Sequence, residues 1–250
     1  MKQFIVTPAM GKRLIGRALS QSLDLLDAAS EHTLAIIAGT TNAYVAQEVL
    51  AELGIEEDFD MTGFRRGLVV PTHCKDPGAV TEFPGDVIIR KGEWLKGKTI
   101  FDVVDDLDEG DVVVKGANAV NVARSDAAVY IGHPQAGTIG AAIQAIVGRR
   151  VRLIVPVGLE KRVTQEISDL VALVNGPNAQ GPRMMQLPGD TFTEIDALEV
   201  LTRCDAILLA GGGVYGAEGC VWIGVDGEEE SLAAAEGLLK KIADEPACRI

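Results

Sequence analysis

The residues Thr33-Leu34-Ala35-Ile36-Ile37-Ala38, followed directly by Gly39-Thr40-Thr41-Asn42, decide the fold class of this 250-residue chain. The first six form an almost continuous apolar run, which is typical of a strand covered on both faces. Glycine and three polar residues then mark a turn, and a helical pattern continues to Leu53. We therefore interpret this stretch as a strand–turn–helix unit.

The same alternation of strand and helix patterns recurs on both sides of this unit. An opening helix is predicted over Gly11–Ala29, where the apolar residues recur with the helical period. Further strands are predicted at 111–115, 127–131 and 151–157, and further helices at 99–107 and 138–147. Alternating units of this type predict an α/β fold with an open, mostly parallel, Rossmann-like sheet covered by helices.

A stretch rich in turn-forming residues, Asn175-Gly176-Pro177-Asn178-Ala179-Gln180-Gly181-Pro182, is the best candidate for a linker. We place a domain boundary there, with an α/β ligand-binding domain at 1–176 and a smaller α+β module at 177–250. The module has the order β-α-β-β-α, with its predicted elements at 184–187, 192–203, 206–210, 221–225 and 228–243. Between 67 and 97 the pattern predicts two short strands, at Leu68–Val70 and Val87–Ile89, joined by a loop.

Composition and charge exclude several classes of partner. Hydrophobic residues make up 47% of the chain, which is enough for a large core, and the formal net charge is −13. Such a charge repels nucleic acid phosphates and anionic lipid headgroups unless a basic patch compensates. The longest basic cluster is the short Arg149-Arg150-Val151-Arg152. We therefore expect neither a nucleic acid nor a membrane partner.

The cysteines and the N-terminal segment indicate a cytoplasmic protein. Four cysteines are widely spaced without a Cys-x-x-Cys pair, namely Cys74, Cys204, Cys220 and Cys248. With only three histidines in addition, we expect no metal site, no cofactor, and reduced thiols. Met1–Pro8 lacks an apolar signal core, and no uncharged stretch reaches the ~20 apolar residues of a membrane span.

The turn Gly39–Asn42 is the first candidate for a ligand-binding site. A helix that starts after a buried strand presents unpaired N–H groups and the positive end of its dipole. The hydroxyls of Thr40 and Thr41 add donors for a bound phosphate. The alternative is that Thr41 or Asn42 simply caps the helix.

Two later turns have the same character. Lys115 to Asn121 follows a predicted strand, and its small residues Gly116 and Ala117 allow close approach of a ligand, while Lys115 and Asn118 offer a charge and an amide. The turn from Gly132 to Thr138 includes Gly137 and precedes a helix. Three turns at successive strand ends describe the crevice in which open α/β sheets bind ligands. We therefore expect a small-molecule anion in this crevice.

Three segments in this order resemble a known superfamily, which contains ribose-5-phosphate isomerase A, glucosamine-6-phosphate deaminase and the coenzyme A transferases. Ala38–Ala43 is similar to the isomerase's Thr-Gly-Ser-Thr-Ala phosphate turn, and Val114–Val120 is similar to its Ile-Asp-Gly-Ala-Asp-Glu-Val. Leu153–Lys161 resembles the following strand, which ends in a lysine. The resemblance covers about residues 10–165 and implies a sugar-phosphate pocket in a homo-oligomer.

The departures from the isomerase pattern concern the catalytic groups. The two aspartates of its second motif are replaced here by Lys115 and Asn118, and an asparagine cannot serve as a general base. No glutamate lies between Glu109 and Glu160, where the resemblance implies the isomerase base and the transferase nucleophile. The resemblance therefore implies the pocket of the superfamily without its known chemistry.

His133 and Lys115 are the candidate catalytic residues. An imidazole near a strand end can exchange a proton at neutral pH, and the lysine can stabilise an enolate or anchor a carboxylate. The alternative for His133 is a hydrogen-bonded loop histidine. His73 and Cys74 are a weaker nucleophile–base candidate, because adjacent strand residues point to opposite faces. Gly211–Gly216 matches Gly-x-Gly-x-x-Gly but precedes a strand pattern, which favours a hairpin loop that could fold over the cleft and contact a ligand through Tyr215 or Glu218.

Taken together, the sequence favours binding of a small phosphorylated or carboxylated metabolite, gripped by Gly39–Asn42, Gly116–Asn118 and Gly137–Thr138. If the protein is an enzyme, an isomerase-like proton transfer on a sugar phosphate is the best reaction class. The alternative is a non-catalytic metabolite sensor or assembly subunit that kept the pocket and lost the carboxylates.

Overall fold

The computed structural model describes residues 1–67, 69–70 and 84–247. The His73–Cys74 pair and Cys248 lie outside the described residues, as does Leu68. The described strands are β1 Lys2–Val6, β2 Thr33–Ile36, β3 Val87–Arg90, β4 Glu93–Trp94, β5 Val112–Val114, β6 Ala119–Asn121, β7 Asp126–Ile131, β8 Arg152–Pro156, β9 Arg183–Gln186, β10 Asp190–Phe192, β11 Asp205–Gly211 and β12 Val221–Asp226. The described helices are α1 Pro8–Ser20, α2 Leu23–Glu31, α3 Thr40–Glu52, α4 Ile100–Val103, α5 Gly137–Gly148, α6 Ile167–Val174, α7 Glu194–Thr202 and α8 Glu229–Lys241.

The expected mixed α/β fold is confirmed, and its centre is a mixed six-stranded sheet. The strand order is β10-β8-β5-β2-β3-β4, in which β10, β8, β5 and β2 are parallel and the β3–β4 hairpin is antiparallel. Val112 to Val114 pair with Leu34 to Ile36 on one side and with Arg152 to Ile154 on the other. The predicted strand at 33–38 is therefore central, as its apolar run indicates.

Alternate side chains of the central strands pack into two separate hydrophobic cores. Leu34, Ile36, Val112 and Val114 pack with α1, α3, α7 and α8 on one face. Ala35, Ile37, Val113 and Leu153 pack with α4 and α5 on the other. Successive side chains of a strand point to opposite faces of the sheet, and helices cover both faces. The central strands therefore have no polar face. The expectation of helices on both faces is confirmed.

Close packing of α1 on α3 fixes one wall of the molecule. A Cβ atom at Gly16 would lie 2.8 Å from the carbonyl oxygen of Tyr44, which is too short for any real contact. Only glycine therefore allows the two helices to approach this closely. This packing holds the start of α3 in place at the end of β2.

The prediction of a single opening helix over 11–29 is wrong. The structure has two helices, α1 and α2, because α1 ends at Ser20 and Ser22 starts the second helix. The first helix begins three residues earlier than expected, since Thr7 accepts a hydrogen bond from the Met10 amide and Pro8 occupies the first turn. The apolar period runs through the break, so periodicity alone did not reveal it.

Two further antiparallel sheets flank the central one, with the orders β6-β7-β9 and β1-β12-β11. The turn Gly132–Thr138 follows β7 and therefore does not end a strand of the parallel sheet. The expectation that all three turns end successive strands of one sheet is wrong. The physical reason is that β6 and β7 pair as a hairpin, so that Ala127 and Ala128 meet Val120 and Ala119 instead of a parallel neighbour.

Strands from both sides of the expected domain boundary at 176 occur in each of the three sheets. β9 pairs with β7, β10 pairs with β8, and β12 pairs with β1. The boundary itself stays a prediction. The helix predicted from 192 starts only at Glu194, because Asp190–Phe192 extends the central sheet. In the described part of the chain, no helix is both long and apolar enough to cross a bilayer.

Candidate functional site

The three turns converge on one cavity of about 1060 Å³. All eleven residues that the sequence predicts as site residues line it. They are Gly39, Thr40, Thr41, Asn42, Lys115, Gly116, Ala117, Asn118, His133, Gly137 and Thr138. The cavity therefore brings the candidates together, although they come from two different sheets.

The first turn places the start of α3 against the cavity. Gly39 is the residue that precedes the helix, and no side chain of the described residues caps it. The alternative that Thr41 or Asn42 caps α3 is therefore wrong. An uncapped helix start leaves N–H groups without intrahelical partners, and the helix dipole adds partial positive charge there.

Two buried side-chain oxygens in this turn have no hydrogen-bond partner in the described part of the chain. Thr41 Oγ1 and Asn42 Oδ1 accept or donate no hydrogen bond within the described structure, although both residues are at most 3% exposed. Asn42 Nδ2 donates to the carbonyl oxygens of Ile37 at 2.7 Å and Val114 at 3.0 Å. These contacts fix the orientation of the amide, since both partners are acceptors. The Asn42 side chain therefore joins the ends of β2 and β5 and leaves Oδ1 on the side of Gly116.

The third turn places a second helix start at the same cavity. Ala136 precedes α5 in a left-handed conformation, and within the described residues no side chain caps this helix either. Gly140 allows the turn to fold back on the helix, because a Cβ atom there would lie 2.4 Å from the Gln135 carbonyl oxygen. Two helix N-termini thus contribute partial positive charge to one cavity.

His133 lies at the exposed rim of the cavity. Its Nδ1 accepts a hydrogen bond from the Gln135 amide at 3.2 Å. This bond is the one that the alternative interpretation, a hydrogen-bonded loop histidine, predicts. The catalytic role of His133 stays a prediction, and its Nε2 would have to perform it.

The second turn supplies Lys115 and Asn118. The Lys115 amide continues the β5–β8 pairing by donating to the Ile154 carbonyl oxygen. Burial lowers the pKa of the Lys115 ammonium to about 8, with a further lowering by the Arg66 charge and an opposing effect of Asp86. Asn118 Oδ1 accepts a hydrogen bond from the Tyr130 amide at 3.0 Å, so this oxygen already stabilises the β6–β7 hairpin.

Sequence reasoning missed Asp86 and Arg66, which organise one wall of the cavity. The buried Asp86 carboxylate accepts hydrogen bonds from the amides of Ala38 at 2.9 Å and Ile100 at 2.8 Å. It also accepts two from Arg66, at 3.2 Å from Nε and 2.9 Å from Nη2, and Arg66 lines the cavity. Asp86 follows Pro84-Gly85, a pattern that indicates only a turn, so nothing in the sequence singled it out.

Lys161 is a third cation at the cavity. Its Nζ donates to the Ala117 carbonyl oxygen at 2.9 Å. Burial is the main reason that its pKa is lowered, partly offset by the charge of Glu160. The signal that could have found it is the lysine that ends the strand in the superfamily resemblance.

The electrostatic character of the cavity is opposite to that of the whole chain. Its described lining residues include Arg66, Lys115 and Lys161 but neither aspartate nor glutamate. The chain as a whole carries a formal charge of −13. Cations and two helix N-termini in a concave site attract anions, and the Thr41 hydroxyl can donate a hydrogen bond to an anionic oxygen, whereas Asn42 Oδ1 can only accept one.

The glycine-rich loop at 211–216 does not contribute to this cavity. The loop joins β11 to β12 as the expected hairpin, with the Gly212 amide donating to the Cys220 carbonyl oxygen. Neither Tyr215 nor Glu218 is among the described residues that line the cavity. In the described ranges, no three histidine, cysteine, aspartate or glutamate residues come together in a way that could hold a metal ion.

The Lys115→Met variant tests the lowered pKa of this lysine. The pKa of Lys115 is about 8 in the folded protein and about 10.5 in the unfolded chain. Below pH 8 the folded protein therefore carries a buried ammonium, which lowers its stability, and this destabilisation disappears as the pH rises toward 10.5. Removing the amine should therefore raise the free energy of unfolding by about 1–2 kcal/mol at pH 7, a figure reduced for partial solvent contact, and by much less at pH 10.

Urea denaturation at both pH values measures this difference. Lys241→Met, at an exposed position in α8, is the control and should change the unfolding free energy equally at pH 7 and pH 10. An equal effect of Lys115→Met at the two pH values would contradict the assignment.

Comparisons with protein-family models, curated proteins and solved structures found no match to this chain.

Proposed function

We propose that this protein binds a small phosphorylated or carboxylated metabolite in a Rossmann-like cleft. The anion lies at the starts of α3 and α5, within reach of Lys115, and the rest of the ligand contacts Gly116–Asn118 and the turn before α5. If the protein is an enzyme, the reaction class is an isomerase-like proton transfer with His133 and Lys115. The proposal includes a cytoplasmic homo-oligomer of the superfamily named above, with no nucleic acid partner.

The observation that carries the proposal is a pair of buried oxygens, Thr41 Oγ1 and Asn42 Oδ1, that have no hydrogen-bond partner among the described residues and lie at a helix start without a side-chain cap there. A buried polar atom without a hydrogen bond costs about 1–3 kcal/mol, so such an atom is normally paired with a protein group, an ordered water or a ligand, and here a ligand in the adjoining cavity can reach both oxygens. The Thr41 hydroxyl can donate to a phosphate or carboxylate oxygen, whereas Asn42 Oδ1 can only accept. A ligand with an anionic group and a nearby hydroxyl supplies both partners.

The second candidate function is a non-catalytic metabolite sensor or assembly subunit. It is favoured by the lack of any carboxylate among the described lining residues and by the bond that engages His133 Nδ1. Proton abstraction next to a carbonyl needs a base of suitable pKa within hydrogen-bond reach. Without a carboxylate, His133 is the one candidate among the described lining residues that belongs to a residue type titrating near neutrality. Binding is common to both candidates, and only turnover separates them.

A thermal-shift titration with inorganic phosphate, ribose 5-phosphate and glycolate tests the proposed binding. A ligand present at 100 times its Kd stabilises the native state by about 2.7 kcal/mol and should raise the Tm by about 5–10 °C in a chain of this length. The Thr40→Val/Thr41→Val double variant should weaken the binding of the best anion by about 10- to 100-fold, because hydrogen bonds to a charged group contribute about 1.5–3 kcal/mol.

Thr164→Val, at an exposed position outside this cavity, is the matched control and should leave the affinity unchanged. Unchanged affinity in the double variant would show that the anion binds elsewhere. For any ligand that binds, incorporation of deuterium into its carbon-bound positions in deuterium oxide measures proton transfer. Incorporation no faster than without the protein would favour the sensor, and catalysed incorporation that is insensitive to both His133→Asn and Lys115→Met would remove the roles proposed for these two residues.

A further inference from the structure

A second, apolar groove of about 780 Å³ adjoins the cavity. The two share the lining residues Val69, Tyr130 and Pro182, so they meet at these side chains. Beyond these residues the groove is lined by Leu173 and Val174 of α6, and then by the turn that starts at Gly176. The cavity is cationic around Lys115 and Lys161, and the groove beyond Tyr130 is apolar.

Large apolar side chains remain exposed around the opening. Val69 is 81% exposed, Leu173 72%, Phe101 54% and Tyr130 45%. Apolar side chains grouped at the mouth of a cavity are typical of a ligand-binding groove, because the ligand removes their surface from water. An anion as small as phosphate cannot cover all four of these side chains at once.

The size of the cavity points in the same direction. Pockets for drug-sized ligands measure roughly 300–1,000 Å³, and the cationic cavity alone reaches the top of this range. A three-carbon phosphate or a small hydroxy acid would fill only its inner end. The ligand that matches both the charge and the remaining space therefore has a head and a long body.

We propose that the ligand is an amphiphilic anion, whose phosphate or carboxylate head binds at the three turns and whose linear apolar body lies past Tyr130 along the groove to Leu173. This inference rests on the proposed anion binding and specifies the class of ligand. Charge complementarity fixes the direction, since the cationic residues Arg66, Lys115 and Lys161 all belong to the inner cavity. The groove lining contains no charged residue among those described.

Calorimetric titration with a series of primary alkyl phosphates, from ethyl to octyl and all below their micelle concentrations, tests this inference. Burial of each added methylene should tighten binding about three- to fourfold, until the chain passes Leu173 and the gain stops. Octanoate is the second arm and distinguishes a carboxylate head from a phosphate head. Octyltrimethylammonium and octanol should show no saturable binding, because neither carries the anion.

The Leu173→Asp variant isolates the groove from the anion site. It should weaken octyl phosphate by at least about tenfold through lost apolar contact and charge repulsion, and leave inorganic phosphate unchanged. Leu23→Asp, which changes a leucine that is 82% exposed in α2 and outside both cavities, is the matched control. Leu173→Gln repeats the test without a charge if the aspartate variant does not fold.

The outcomes separate the two proposals. If inorganic phosphate binds but affinity does not depend on chain length, the amphiphile inference is wrong and the proposed anion binding stands. If octyl phosphate gains affinity that Leu173→Asp and Leu173→Gln leave intact, the groove assignment is wrong. If no anion binds at all, the proposed function fails and this inference fails with it.

Discussion

The Asp86→Ala variant is expected to have a free energy of unfolding about 3–5 kcal/mol lower than that of the wild type. Asp86 is 1% exposed and its two oxygens accept four hydrogen bonds, two from main-chain amides and two from Arg66. Alanine would leave the amides of Ala38 and Ile100 buried without an acceptor, and the Arg66 guanidinium without the carboxylate that orients it. Removal of one partner from such a network is far more costly than an ordinary surface substitution.

Chemical denaturation with urea measures this loss, which should also lower the Tm by about 6–20 °C. Asp86→Asn keeps the shape and one acceptor oxygen, and should lie between alanine and the wild type. Asp105→Ala, at an exposed aspartate, is the control and should stay within about 0.5 kcal/mol of the wild type. A loss below 1 kcal/mol in Asp86→Ala would show that the network is not needed for stability.

The same variant should weaken anion binding at temperatures where it remains folded. Asp86 holds the Ala38 amide next to the turn Gly39–Asn42 and holds Arg66 at the cavity wall. Loss of this anchor lets the turn relax, so the Kd for the best anion is expected to rise even in the native state. The anchor thus links the stability of the sheet edge to the shape of the cavity.

The central strands could be predicted from the sequence because they are buried on both faces. The runs at 33–38, 111–115 and 151–157 are mostly apolar, and the structure has a strand in each that is two residues shorter. Strands with one exposed face carry a weaker signal. β1, with three exposed or partly exposed residues before Ile5, was not predicted at all.

Turn residues predicted where the candidate cavity lies, but not which strands and side chains build its walls. Glycine and small polar residues after a strand mark where the backbone can approach a ligand, and the three turns predicted as the binding site reach one cavity, whereas the glycine-rich loop at 211–216 does not. The turn at 132–138 reaches the cavity from a strand of another sheet, which no local pattern indicates. Asp86 and Arg66 act through contacts 20 residues apart in sequence, and local spacing contains no information on such contacts.

A cationic cavity in an acidic chain also explains why carboxylates are absent from its described lining. An aspartate or glutamate there would neutralise Lys115 and Lys161 and occupy the helix starts that an anion needs. Asp86 is a carboxylate close to the cavity, but it is not among the described residues that line it. Its oxygens are occupied by the amides of Ala38 and Ile100 and by the Arg66 guanidinium. The negative charge of the chain lies outside the cavity and favours solubility instead.

The Glu194→Gln variant is expected to be about 2–3 kcal/mol more stable than the wild type at pH 8 and equally stable near pH 4.5. Glu194 is the first residue of α7 and is 1% exposed. Burial, together with the negative charge of Glu160, raises the pKa of its carboxyl to about 7, although the Leu159 amide donates to Oε2 at 2.9 Å. The packing is tight, since a Cβ atom at Gly11 would lie 2.3 Å from Oε1.

The direction of the pH effect follows from the raised pKa. The folded protein binds a proton at Glu194 more tightly than the unfolded chain does, so protonation of Glu194 stabilises the fold. This stabilisation is complete below pH 4.5 and is lost as the pH rises through 7. Glutamine keeps the acceptor for the Leu159 amide and never ionises, so it avoids the loss. Urea denaturation at pH 4.5, 6 and 8 measures the difference, with Glu57→Gln as the exposed control. A stability difference between Glu194→Gln and the wild type that stays constant over this range would show that Glu194 ionises as an ordinary surface glutamate does.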